Sequence, residues 1–331
     1  MSALGVRLSD SAFLASVDAR DRSFWRFLAT VVAGLSAGLL SGLLIGGVAL
    51  IVFAFASAPP GTPLTAIPLR MTEMIGSNGA SLASTVMLML LAVTTNGPLA
   101  AAFVCIAALI SRHRIRDYLT AAPRFRWRML ALGLAMSVIV IGPVVALTQL
   151  LDPHAQPPPM LSLAPDLAGR FGYAFAAVAL LIPAAAAEEV VFRGWLLRQT
   201  AAVSRNIFVL MAVNGALFSA VHGEFAPDAF LTRALMGAGF VYMTLRLGGI
   251  EYSTGAHAAN NILIVLFIQP LTLQSSAAGG LSWDGVLQDV FLFAAYVGMA
   301  ELTARWAPLR RLSGADQTLD LPATAVAEHF A

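Results

Sequence analysis

Lysine is absent from this chain of 331 residues, so all 20 basic side chains are arginines. Charge of either sign is sparse, at 11% of residues, and the formal net charge is only +2. That balance gives no sign of nucleic acid as a partner. What the arginines report is where along the chain they fall. Cysteine occurs once, as Cys105 inside an apolar run. An internal disulfide, a CxxC redox site and a cysteine-cluster metal site are thereby excluded. A short leader followed by a small-residue cleavage site is also missing, because the first apolar run starts near Phe27 behind a mixed-charge segment. No cleaved signal peptide is expected. Internal repeats are not detectable either.

What is present is hydrophobic: 58% of residues, with a mean hydropathy of +0.79, far above an ordinary soluble domain. Apolar runs lie at about 27–56, 82–110, 129–151, 171–192, 206–222, 229–247, 250–270 and 286–304, each near the roughly 17–25 residues of a tilted span. The expected fold is all-α, a polytopic membrane helix bundle of about eight transmembrane helices. Arg20, Arg22 and Arg26 precede the first run; six arginines from Arg112 to Arg128 separate the second from the third; Arg198, Arg205, Arg246, Arg305, Arg310 and Arg311 follow later ones. All fall on one side of an eight-span chain, which predicts a multi-pass protein of the cell (inner) membrane with both termini cytoplasmic. Arg233 is the exception to that pattern. Gly34, Gly38 and Gly42, four residues apart, predict close helix contacts, and Pro183 predicts a loosened helix one turn before Glu188.

The division expected is a cytoplasmic segment 1–26 able to lie on the membrane surface, a transmembrane bundle 27–304, and a disordered cytoplasmic tail 305–331. The tail ends in Glu328-His329-Phe330-Ala331 without a CaaX cysteine, so self-processing of that kind is not expected.

One stretch, 184–195, breaks the apolar pattern with Glu188, Glu189 and Arg193. Charges deep in a bilayer cost from about 2.5 kcal/mol upward, so three together call for a task. On a helix, Glu189 and Arg193 are one turn apart and oriented to pair. Glu188 diverges from Glu189 by about 100° and must find partners on other helices. His222 and His257 are the histidines in or beside apolar segments, each within a one-turn pair, Phe218 with His222 and His257 with Asn261. A buried carboxylate facing two imidazoles can activate water for hydrolysis, and an amide or imidazole N–H can steady an oxyanion. Taken alone, 218–223 reads as a helix end and 257–261 equally as a polar helix start. The carboxylates tip the reading toward chemistry. Glu224, Asp228 and Glu251 read as solvated ends; Asn214, Thr94 and Thr95 read as interhelical hydrogen-bonders.

Glu-Glu-x-x-x-Arg at 188–193, Phe-x-x-x-His at 218–222 and His-x-x-x-Asn at 257–261, in this order on successive apolar segments, resemble the CaaX-processing and bacteriocin-processing (CPBP) intramembrane protease family. The resemblance runs from about the fourth span to the seventh, and Arg124-Phe125-Arg126-Trp127-Arg128 also fits it, which suggests a protease core of about 125–272. It implies an endopeptidase acting on a membrane-associated peptide or protein, lipidated for some relatives. It further implies Glu188 as general base beside His222, an oxyanion site of His257 and Asn261, a structural ion pair of Glu189 with Arg193, and Phe218 as a packing residue. No cofactor is favoured, since His-Glu-x-x-His does not occur and a glutamate acting as base cannot also be the third ligand. Zinc held by Glu188, His222 and His257 remains the alternative.

Helical rise sets a conflict. Counted from the arginines, Glu188 and His257 lie about half a bilayer deep while His222 lies deeper, so the span at 206–222 must tilt or stop short. Two other functions compete. A proton-coupled transporter would use the same groups but calls for inverted repeats and for charges spread along a path. A non-catalytic membrane scaffold of the same fold has no need of every motif position being filled.

Overall fold

Backbone amides in lipid must close their hydrogen bonds internally, which drives apolar runs of this length into helices. The computed structural model describes residues 8–77, 79–152, 155–273 and 280–319, and no strand occurs among them. Eight helices follow the eight apolar stretches: α1 (Phe24–Ala56), α2 (Leu82–Ser111), α3 (Trp127–Leu151), α4 (Leu167–Val203), α5 (Ile207–Ala220), α6 (Pro227–Leu247), α7 (Glu251–Leu263, prolonged by the π-helical turn Ile264–Ile268) and α8 (Trp283–Arg305). Several starts are written locally. Ser23, Ser81, Asp166, Asn206 and Ser282 each accept a backbone N–H of the first turn, satisfying a donor the helix leaves open.

The polytopic helix bundle expected from the sequence is present, with fewer membrane-length helices than the about eight expected. Among the described residues five helices, α1 to α4 and α8, are long and apolar enough to cross a membrane. Helix α5 has 14 residues and reaches only about 21 Å, short of the roughly 30 Å hydrocarbon layer. It resolves the depth conflict by stopping short. Helices α6 and α7 carry Asp228, Arg233, Arg246, Glu251 and His257, yet residues 236–245 and 251–259 are buried throughout. They are interior helices. An apolar count along the sequence cannot separate a side chain facing lipid from one facing protein.

Around them, α1 packs on α2, α2 on α4, α5 and α8 on α6, and α3 on α7. The glycine stripe of α1 meets α2 as expected: a Cβ at Gly34, Gly38 or Gly42 would meet Phe103, Leu99 and Thr95 in turn. The contact of α3 with α7 is closer still. A Cβ at Gly133 would strike the carbonyl of Tyr252, and one at Gly255 that of Leu130, so the two backbones touch and fix α7 in height and rotation. Thr94 and Thr95 differ from expectation, since their hydroxyls bond carbonyls of their own helix, those of Leu90 and Leu91. Asn214 reaches across from α5 to Thr200 of α4 at 3.3 Å, as expected.

The described parts of both flanking segments, 8–26 and 305–319, are built into the bundle, where a surface segment and a disordered tail were expected. Phe13 and Leu14 are buried in the main core, and the Ser11 hydroxyl donates to the carbonyl of Leu245. Beyond α8 the chain continues through helices Ala307–Ser313 and Asp316–Leu319. Thr318 is buried, donates to the carbonyl of Leu247 and accepts from Arg126. Polar bonds to carbonyls exposed at helix ends hold these segments, and hydropathy does not record such bonds. The remainder of the expected tail, 320–331, and residues 1–7 lie outside the described residues.

Glu251 is likewise not a solvated end. It is fully buried and takes a bidentate grip from Arg126, with Nε at 3.0 Å and Nη2 at 2.8 Å. Glu224 is half-buried and pairs with Arg233, which gives that outlying arginine its partner.

Candidate active site

Helix α4 stays helical through Pro183 and widens further on, in the π-helical segment Val190–Leu196 directly after the two glutamates. Such a bulge adds a residue to a turn and often marks a functional site. Here it carries Arg193 into the bundle. The guanidinium is fully buried, donates to Glu189 Oε1 at 2.8 Å and to the carbonyl of Gly237 at 3.2 Å, and sits 4.4 Å from the Phe218 ring centroid and 5.1 Å from that of Phe240. Two aromatic faces and two oxygens replace the water it has lost.

From α7, His257 meets the same carboxylate, with Nδ1 3.0 Å from Glu189 Oε1. Its ring stacks on Phe240 at 5.1 Å and meets the edge of Phe218 at 5.7 Å. Glu189, paired to a guanidinium, is an acceptor, which assigns the proton to Nδ1 and turns Nε2 away from it. On that other side stands Glu188, its Oε2 3.7 Å from Nε2. This exceeds a hydrogen bond. A water bonded at about 2.8 Å to both atoms fits beside the gap. Of these four side chains Glu188 alone has appreciable exposure, 23% against 2% for His257 and none for Glu189 and Arg193. Its Oε2 has no hydrogen-bond partner among the described residues.

The remaining residues singled out from sequence are less closely joined. His222 lies just past the end of α5, exposed, with Nδ1 2.7 Å from the carbonyl of Phe218 and its ring 4.9 Å from the Phe218 ring. Phe218 thus meets both imidazoles, and no hydrogen bond or ion pair joins His222 to Glu188. Asn261 is half-buried one turn beyond His257 on α7. Phe240 and the Gly237 carbonyl escaped the sequence reading. Both are contributed by α6, where an apolar side chain among many, or a backbone oxygen, leaves no signal of its own.

The metal alternative can be tested on the donors. The ligand atoms of Glu188, His222 and His257 are not gathered within 4.8 Å of one another. As placed, the three do not form a zinc ligand set. Among the described residues the three-donor group with atoms within 4.8 Å is instead Asp18, Asp21 and His113. Its carboxylates already answer Arg20 and Arg198.

Residues 170–263 match the family described as type II CAAX prenyl endopeptidase Rce1-like, in agreement with the intramembrane protease family that the three motifs resemble. Glu188, Glu189, Arg193, Phe218, His222, Phe240, His257 and Asn261 all lie within that match. The chain is also 32% identical over 180 residues to a protein of Bacillus subtilis (strain 168) described as uncharacterized protein YyaK. That alignment covers 52% of this chain and spans 57% of the relative's length. No solved structure matches.

Proposed function

We propose that the protein is an intramembrane endopeptidase that hydrolyses a peptide bond of a membrane-associated protein or peptide, with water activated by Glu188. The observation that carries this reading is the 3.7 Å approach of Glu188 Oε2 to His257 Nε2, made while Glu189 and Arg193 fix the other side of the ring. Water held between the two gives its proton to Glu188, and the hydroxide attacks the scissile carbonyl carbon. The oxyanion that forms needs a donor. With Nδ1–H committed to Glu189, Nε2 donates only as an imidazolium, a charge that the two flanking carboxylates balance against one guanidinium. Asn261 is the second donor in this reading. Glu188 then passes its proton to the leaving amine, which closes the cycle. His222 serves at the entrance, beyond Phe218, where its Nε2 is free to meet substrate.

The mechanism uses no metal, and a lipidated CaaX-type tail is the substrate class to try first, because the matched family is named for it. The inner membrane with cytoplasmic termini is the proposed location. Full-length protein in liposomes, offered a peptide library read by mass spectrometry, tests the whole reading. Glu188→Gln is expected to lose about 10²–10⁴-fold in rate with an unchanged melting temperature, and chelators should leave the wild type unaffected. Undiminished cleavage in both Glu188→Gln and His257→Ala would remove the enzyme from consideration.

A further inference from the structure

At the end of the bundle where α3 begins and α8 has just finished, a cavity of about 660 Å³ opens between the loop before α3 and the two short helices that follow α8. Its lining includes Arg124, Arg126, Arg128 and Arg311 against one acid, Asp316. Arg126 is accounted for by Glu251 and Thr318. Arg124, Arg128 and Arg311 are exposed, and their guanidiniums make no ion pair or hydrogen bond with a described residue. Three unpaired guanidiniums converging on one concave surface repel one another unless an anion joins them.

The rim indicates where that anion comes from. Trp127, at 71% exposure, and Leu312, at 54%, stand on the same lining as the arginines. Phe24, Trp25 and Trp306 are also largely exposed, and each sits where a membrane-length helix begins or ends, beside the arginine-rich segments. Exposed aromatics at span ends occupy the headgroup layer. The cavity thus lies at headgroup level, with guanidiniums for a phosphate and an indole and a leucine for the glycerol and the start of an acyl chain.

We propose that this cavity binds the phosphate of an anionic membrane lipid. The site is separate from Glu188 and His257. Through the buried Arg126–Glu251 pair it nonetheless adjoins the first turn of α7, the helix that carries His257. The occupant is taken to be a lipid rather than free phosphate because the apolar rim has no use for a soluble ion.

The test uses the full chain reconstituted in phosphatidylcholine vesicles holding about 10% phosphatidylglycerol, with retained lipids identified by native mass spectrometry. Phosphatidylglycerol should be enriched on the wild type, and Arg124→Gln/Arg128→Gln/Arg311→Gln should lower that enrichment at least about tenfold. Equal enrichment in the two proteins, or none on the wild type, overturns the proposal. So does a wild type that takes up radiolabelled inorganic phosphate while showing no lipid preference. A second measurement covers a triple variant that fails to fold: brominated phosphatidylglycerol should quench the tryptophan fluorescence of the wild type more than brominated phosphatidylcholine, by an increment that the conservative Trp127→Phe removes. Equal quenching by the two lipids also overturns it.

Discussion

His257 Nδ1 lies 3.0 Å from Glu189 Oε1, the same oxygen that accepts 2.8 Å from Arg193. One carboxylate thus orients an imidazole while a guanidinium neutralises it. Glu188, the neighbouring residue, leaves its Oε2 without a hydrogen-bond partner among the described residues. The two glutamates differ because adjacent positions on α4 face about 100° apart.

Breaking that buried pair from one side leaves an uncompensated charge. Glu189→Gln and Arg193→Met are each expected to cost about 3–5 kcal/mol, and the double variant less than their sum. Unfolding of the purified variants in mild detergent measures this. Wild-type stability in Glu189→Gln would contradict the assignment of Glu189 as structural.

The two histidines should behave differently. His257→Ala is expected to abolish cleavage, on the order of 10²–10⁴-fold, since its ring closes the contact with Glu188. His222→Ala should raise KM more than it lowers kcat, because the exposed ring meets Phe218 and makes no bond to Glu188. A matched loss of kcat in both variants would place His222 at the reacting atoms instead.

Backbone contact between α3 and α7 sets the height of His257. Gly255→Leu forces a side chain against the carbonyl of Leu130, and a loss of at least about 1–3 kcal/mol is expected. Gly298→Leu on α8 is the control, since a Cβ there meets nothing within 4 Å. Equal melting temperatures for these two variants would mean that α7 tolerates displacement.

An acid-sensitive clasp holds the amino-terminal segment. Burial raises the Asp21 carboxyl, yet the hydrogen bond from His113 and the charge of Arg198 outweigh it and hold the group below its ordinary 3.8. A lowered carboxylate contributes its stability in full above that ordinary value and loses it as pH falls through the folded value. Proteolysis of the segment around Asp18 to Arg22 should therefore be slow at neutral pH and accelerate below about pH 4. In Asp21→Asn the segment should be cut faster at neutral pH, with little further change on acidification. A wild type whose cutting rate ignores acid would refute the clasp.

Much of the site was legible because charge in an apolar run is conspicuous. Glu188, Glu189 and Arg193 announce themselves against the alanines around them, and helical spacing alone pairs Glu189 with Arg193, as found. The place of His222 was not legible. Spacing puts it one turn after Phe218, but which way that turn faces depends on how α5 ends and on what α6 packs beside it. Glu251 misled for the same reason in reverse. At the edge of an apolar run it reads as solvated, whereas Arg126, 125 positions away, encloses it.

The sequence by itself determined the helical class, the membrane, the ion pair within α4 and the glycine seam between α1 and α2. Each follows from neighbours within a few turns or from composition, where the physics is local. Only the tertiary structure decided that three of the eight apolar stretches are short or interior, that both flanking segments fold back onto the bundle, and that Phe218 and Phe240 enclose Arg193 and His257. Those outcomes depend on which surfaces of distant helices meet, and packing between distant segments leaves no periodic trace along a chain.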